Sequence, residues 1–337
     1  MTSCATIAVC CALLASNPDA TGVIEGTVLN GSRARSPVAG AKVVLRASHQ
    51  GALIATAETT TDDQGRFRFE QIPVSRDVIY LPGANHLEIH YPGQRVTIDG
   101  RRLVNEQTIV VYETVADSPL VAARHEIDLR PEVGVLVVTE TIVIANRSMR
   151  SYVGSETADG QPSETLRLSI PPQFDKVTFD KEFFGRQFQL NNERLETQIP
   201  WTPGQRELKF TYRLPLEHRH WLFCRPLDLA TQQLRVKVSG EKIDDVTCSF
   251  PATRTVQAGA IVFDCEAALL PAGHTIELKF GDLPVPWTTH ARWIAPAALV
   301  LLVLATFAAM SWRRHRPGPS APADSVDSKS RTVKRAA

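Results

Sequence analysis

The chain has 337 residues, with 37 Lys and Arg against 36 Asp and Glu, 22 Pro, 19 Gly, 13 Phe, 5 Tyr and 5 Trp. A net charge of +1 excludes a generally basic nucleic-acid binder, and 43% hydrophobic with 22% charged content excludes a disordered chain. The length allows about two domains with real cores.

Residues Ala5–Ala15 form an apolar run of signal-peptide length, followed by polar Ser16-Asn17-Pro18-Asp19. Residues 1–20 are therefore expected to be a signal peptide, although only the terminal amine supplies its basic end. From Gly22 the text changes to short alternating runs between turn residues. Val23–Leu29 reads as a strand, and Asn30-Gly31-Ser32 and Pro37-Val38-Ala39-Gly40 read as turns. Ala41, Val43 and Leu45 alternate, and Leu53–Thr61 is a third strand. Asp62-Asp63-Gln64-Gly65 is a turn, before Phe67 and Phe69 on one face of the next strand. Strand-like text continues through Val78–Leu81, Leu87–Tyr91, Arg95–Ile98 and Gln107–Tyr112.

The order Gly26, Val28; Pro37, Ala39, Gly40, Ala41, Val43, Leu45; Thr61, Asp62, Gly65, Phe67, Phe69, Ile72, Pro73 resembles the carboxypeptidase regulatory-like family. That resemblance implies a transthyretin-like β-sandwich over 22–115 with an accessory, non-catalytic role. It lends no peptidase activity.

Beyond Ala116-Asp117-Ser118-Pro119, ten further strands are expected between His125 and Phe280, with no long helical period. Regular short strands argue a second β-sandwich over 119–282. The phrases Val138-Thr139-Glu140, Tyr152-Val153-Gly154, Phe183-Phe184-Gly185 and Phe210-Thr211-Tyr212 resemble a group of bacterial single-pass envelope proteins that pair a regulatory-like domain with a second β-domain. Residues 283–292 read as a stalk. From Ile294 to Ser311 no residue is charged, which as helix spans about 27 Å, close to the hydrocarbon thickness of a bilayer. Trp293 and Trp312 bracket this run, and Arg313, Arg314 and Arg316 follow it, so 293–312 is expected to be a transmembrane helix with its C-terminal end cytoplasmic. Residues 313–337 carry seven Lys or Arg against two acids and read as a disordered basic tail. The fold class expected is all-β: two tandem sandwiches plus one C-terminal transmembrane helix.

Few residues offer chemistry. Cys224, Cys248 and Cys265 remain after signal removal, in a compartment that permits disulfides. An antiparallel register pairing Cys248 with Cys265 also pairs Phe250 with Phe263, and such a bridge would contribute about 3 kcal/mol; three buried thiols are the alternative. His218, His220 and Cys224 are the one cluster with ligand chemistry, since His218 and His220 would share a face of a strand. Arg219 and Arg225 would repel a cation there, so ordinary strand-edge histidines are the preferred reading. No catalytic residue and no cofactor is expected, because GxSxG, P-loop, GxGxxG and EF-hand patterns are absent. The function expected is a non-enzymatic, membrane-anchored envelope protein acting as a protein-binding or structural module, with a protein partner in the envelope. The alternatives are an extracytoplasmic carbohydrate or ligand receptor, and a metal-binding protein using His218, His220 and Cys224.

Overall fold

The computed structural model describes residues 5–6, 21–155, 163–181, 187–216, 218–240, 245–265, 270–281, 283 and 291–314, with helix side chains described for 296–308 and 310. The described elements are strands apart from one helix. The described residues as far as Leu283 form one compact unit holding two buried clusters, and the helix belongs to a second unit.

The first cluster lies between two sheets. One orders β4 (Arg66–Pro73), β1 (Thr21–Asn30) and β8 (Val104–Val111); the two-residue strand Ala5–Thr6 lies outside β4. The other orders β3 (Ala52–Thr60), β2 (Lys42–His49), β5 (Ser75–His86) and β6 (Ile89–Pro92), with β7 (Val96–Ile98) also on β5. Period-two alternation explains the layering. Val43, Leu45 and Ala47 of β2 and Phe67 and Phe69 of β4 point inward and are buried. The two phenylalanine rings meet edge to face at 6.1 Å between centroids. The turn before β4 is held by Asp62, whose Oδ1 accepts hydrogen bonds from the Gln64 and Arg66 amides at 2.9 and 2.8 Å. Gly65 closes that turn at φ +72°, where a Cβ would stand 2.8 Å from the Val28 carbonyl oxygen. Leu87–Tyr91, expected as one strand, is divided: Leu87 and Glu88 take positive φ in the turn between β5 and β6.

The second cluster is built on a seven-stranded sheet. It orders β12 (Lys176–Phe179), β15 (Gly204–Pro215), β10 (Val135–Asn146), β9 (Leu120–Glu132), β17 (Leu234–Ser239), β20 (Ala260–Cys265) and β19 (Thr253–Gln257). Two three-stranded sheets complete it: β11 (Leu166–Ser169), β14 (Arg194–Thr197) and β13 (Phe188–Asn191); and β16 (Trp221–Pro226), β21 (Thr275–Phe280) and β18 (Val246–Cys248). Three of these strands, β14, β16 and β19, were not expected from the sequence.

β19 accounts for a correction. Cys248 does not stand opposite Cys265: it pairs with Leu278 on β21, while Cys265 pairs with Leu234 on β17. The segment between them makes its own hairpin, with Ala258 and Gly259 at φ +48° and +77°, so β19 takes the free edge of β20. All three cysteines stand as free thiols, Cys265 buried, Cys248 half-buried and Cys224 exposed.

The helix, α1, runs from Ala291 to Arg314 over 24 residues with Pro296 inside it. Leu299, Val300, Leu301 and Leu302 occupy nearly a full turn and are all more than half exposed. Among the described residues no helix is long and apolar enough to cross a membrane.

Candidate functional site

The expected ligand cluster does not assemble. His218, Arg219 and His220 are exposed in a bend ahead of β16, which begins only at Trp221, so the two histidines share no strand face. Cys224 lies on the outer side of β16 opposite Glu277. Partial desolvation and then the Glu277 charge push its thiol up, away from the thiolate form that binds metal. Among the described residues no three His, Cys, Asp or Glu side chains converge on a common point. Trp293, Trp312, Arg313 and Arg314 lie within α1, and Arg316 lies outside the described residues, as do Phe183 and Phe184. Leu283, expected to open the stalk, is buried in the second core, its amide bonded to the Arg219 carbonyl at 2.9 Å.

What the structure does assemble is an ionic cluster inside the second core. Glu140 sits mid-way along β10 among inward Leu136, Val138, Ile142 and Ile144, and is fully buried. His125 on β9 stands opposite Ile142, and Tyr212 on β15 opposite Val138, so both flank Glu140 diagonally on the same sheet face. Arg225, also fully buried, enters from β16 in the facing sheet. Glu140 accepts hydrogen bonds from His125 Nε2 at 2.9 Å, Tyr212 Oη at 2.7 Å, and Arg225 Nε and Nη2 at 2.8 and 3.1 Å. Arg225 Nη1 reaches Asp228 at 2.8 Å and the Pro226 carbonyl. Asp228 in turn accepts from the Ser169 amide and hydroxyl at 3.0 and 2.7 Å.

Burial alone would push the Glu140 carboxyl up; the Arg225 charge and the His125 hydrogen bond outweigh it and hold the carboxyl well below the usual carboxylate range. Burial, and then the Glu140 charge, push Tyr212 well up, so its hydroxyl stays protonated and donates. Each charge is thereby partnered, which a buried ion pair requires. The cluster holds Glu140 and Arg225 without solvent access. Its chemistry is to bolt three sheets together.

A second polar arrangement wires the two cores to each other. The Ser151 amide donates to the Glu113 carbonyl at 2.8 Å, and the Val153 amide to the Val115 carbonyl at 3.1 Å. Tyr91 of the first sandwich donates to the Tyr112 carbonyl and meets Ser151 Oγ, both at 3.0 Å. Ser32 Oγ donates to the Met149 carbonyl. The Glu113 carboxylate takes Asn30 Nδ2 at 2.7 Å and Arg33 Nε at 3.2 Å, with His86 3.7 Å away; the Asn30 hydrogen bond leads in holding it below its ordinary range.

A cleft of about 950 Å³ lies across β4, β1 and β8. Strand register builds its floor in rungs: Arg68, Glu25 and Glu106 form one, and Arg66, Thr27 and Thr108 the next. Arg68 is paired with Glu25 and, at 2.7 Å, with Glu70. Phe67, the aromatic residue of the lining, is buried and offers no exposed platform.

No family model matches the chain, and no curated protein does. Among solved structures, an M1 zinc metallopeptidase from Deinococcus radiodurans is similar at 12% identity over 49% of this chain and 43% of that one, with a TM-score of 0.30. Yeast LTA4 hydrolase is similar at 10% identity over 49% and 29%, with a TM-score of 0.31. The chain thus spans less than half the length of either. Likeness this slight carries no argument about chemistry.

Proposed function

We propose that the chain is an exported, single-pass membrane protein whose two extracytoplasmic β-sandwiches form a non-enzymatic protein-binding or structural module. The observation that carries this reading is the junction. Hydrogen bonds from Ser151, Val153, Tyr91 and Ser32 tie the two cores into one compact unit, which suits a body that presents surfaces rather than one that opens and closes on a substrate. The buried Glu140 cluster serves the same end, spending its charges on internal rigidity. The anchor is supported by the uncharged run from Ile294 to Ser311 within α1 and by apolar side chains exposed around the helix; a helix apolar on every side belongs in lipid or a core. The regulatory-like identity of the first sandwich is supported by the Asp62–Gly65 turn and by Phe67 and Phe69 in its core.

Protease added to intact spheroplasts should remove epitopes within 22–283 and spare one at residue 337, because the arginines after the span favour the cytoplasm. The reverse pattern would overturn the topology. Crosslinking in membranes followed by mass spectrometry should then recover an envelope protein attached to the sandwiches. The polar cleft on β4, β1 and β8 favours a second reading, an extracytoplasmic ligand receptor; titration calorimetry with oligosaccharides tests it, and heat release abolished by Arg66→Ala would favour it over the first.

A further inference from the structure

The first sandwich is open along one flank. Its two sheets end there on consecutive strands, β3 in one and β4 in the other. β3 is nine residues long, ALIATAETT, with Glu58 as its one charge and no Pro or Lys. Leu53 and Ile54 on it are 62% and 43% exposed. Edge strands that must not pair are normally shortened, bulged, or loaded with charge or proline. β3 carries a bulge near Ile54 but otherwise lacks that protection. The flank is also short of bulk, because Ala55 and Ala57 are the β3 residues packed against the core there.

A strand is seated in this place. Ala5–Thr6 runs parallel to β4, Ala5 opposite Phe69 and Thr6 opposite Glu70, and it also touches β3. We infer that the β3/β4 flank is an acceptor for one extended segment of a partner polypeptide, rich in small residues and parallel to β4 at Phe69–Glu70, and that Ala5–Thr6 holds the place until processing removes it. Main-chain hydrogen bonds to the β4 edge supply the affinity in such an addition, and the alanine-lined floor selects small side chains. The inference deepens the protein-binding reading and rests on its export step for the removal of residues 1–20.

The test uses the processed full-length protein in detergent. The probe is a synthetic peptide copying residues 2–9 with serine in place of its cysteine; the control peptide carries proline where Thr6 stands. Amide hydrogen exchange at residues 68–71 should slow at least tenfold with the probe and not with the control. No protection, or equal protection by both peptides, overturns the acceptor. A form whose cleavage is blocked should show the same protection without peptide; unprotected amides in that form also overturn it. N-terminal sequencing separates the two ideas. A processed N-terminus without peptide protection sinks the acceptor alone, whereas an intact N-terminus with protected amides sinks partner docking together with signal removal.

Discussion

Replacing Arg225 with Met keeps much of the side-chain length and removes the positive charge from the second core. The substitution deletes the contacts to Glu140 at 2.8 and 3.1 Å, to Asp228 at 2.8 Å and to the Pro226 carbonyl, and leaves Glu140 fully buried with His125 and Tyr212 as its remaining donors. Removing one partner of a buried pair costs about 3–5 kcal/mol, because the other charge is left uncompensated. For a domain of this size that corresponds to a fall of about 6–20 °C in the melting transition of the second sandwich. Calorimetry of the full chain in detergent reads this directly. Adding Glu140→Gln should recover at least half of the loss, since the neutral amide still accepts from Tyr212, the fully buried charge is gone, and Asp228, which also loses Arg225, keeps the Ser169 amide and hydroxyl as donors. If Arg225→Met melts within about 2 °C of the parent, the cluster does not carry the buried charge assigned to it.

Further outcomes follow from other parts of the fold. The Glu140 carboxyl is depressed in the folded state, so its stabilisation is complete above the ordinary carboxylate pKa of about 4.3 and is lost as pH falls toward the folded value. The melting temperature of the parent should therefore drop more steeply below that pH than that of Glu140→Gln; equal slopes would count against the cluster. Phe67→Asp should abolish the cooperative transition of the first sandwich, because an unpaired charge in that core costs several kcal/mol, comparable with a domain's whole stability; an unchanged melt would show that this face is not the core. Gly65→Ala should destabilise the same sandwich by about 1–3 kcal/mol through its positive φ and the close Val28 oxygen, read from urea denaturation; a shift below about 0.3 kcal/mol would refute the strain.

Much of the all-β architecture was legible because alternation is a local signal. Phe67 and Phe69, or Val43 and Leu45, declare an inward face without reference to any partner. Pairing is not local. Nothing near Cys248 announces that Thr253–Gln257 will claim the edge of Ala260–Cys265, and the expected cysteine register failed for that reason. β16 is hidden in the sequence because its inward positions, Phe223 and Arg225, include a charge that masks the apolar alternation. The Glu140 cluster did leave a trace. Leu136, Val138, Ile142 and Ile144 fix the parity of β10, and Glu140 falls on the inward count, so a carboxylate in the core could be read from spacing alone. Its partners could not, since His125, Tyr212, Arg225 and Asp228 come from positions up to 88 residues away in sequence.

The pairing of β1 with β8 has a mechanical consequence. The first and last long strands of the first sandwich lie side by side and parallel, in register from Val23 with Val104 to Asn30 with Val111. The chain therefore enters this sandwich at one end of the shared ladder and leaves it at the other. Tension applied through the two ends slides the strands past each other instead of peeling them apart. The eight paired positions share such a load at once, whereas an antiparallel pair pulled from adjacent ends would yield one rung at a time. A body tethered at its C-terminal side and gripped elsewhere by a partner would resist pulling through this ladder before its cores are called upon.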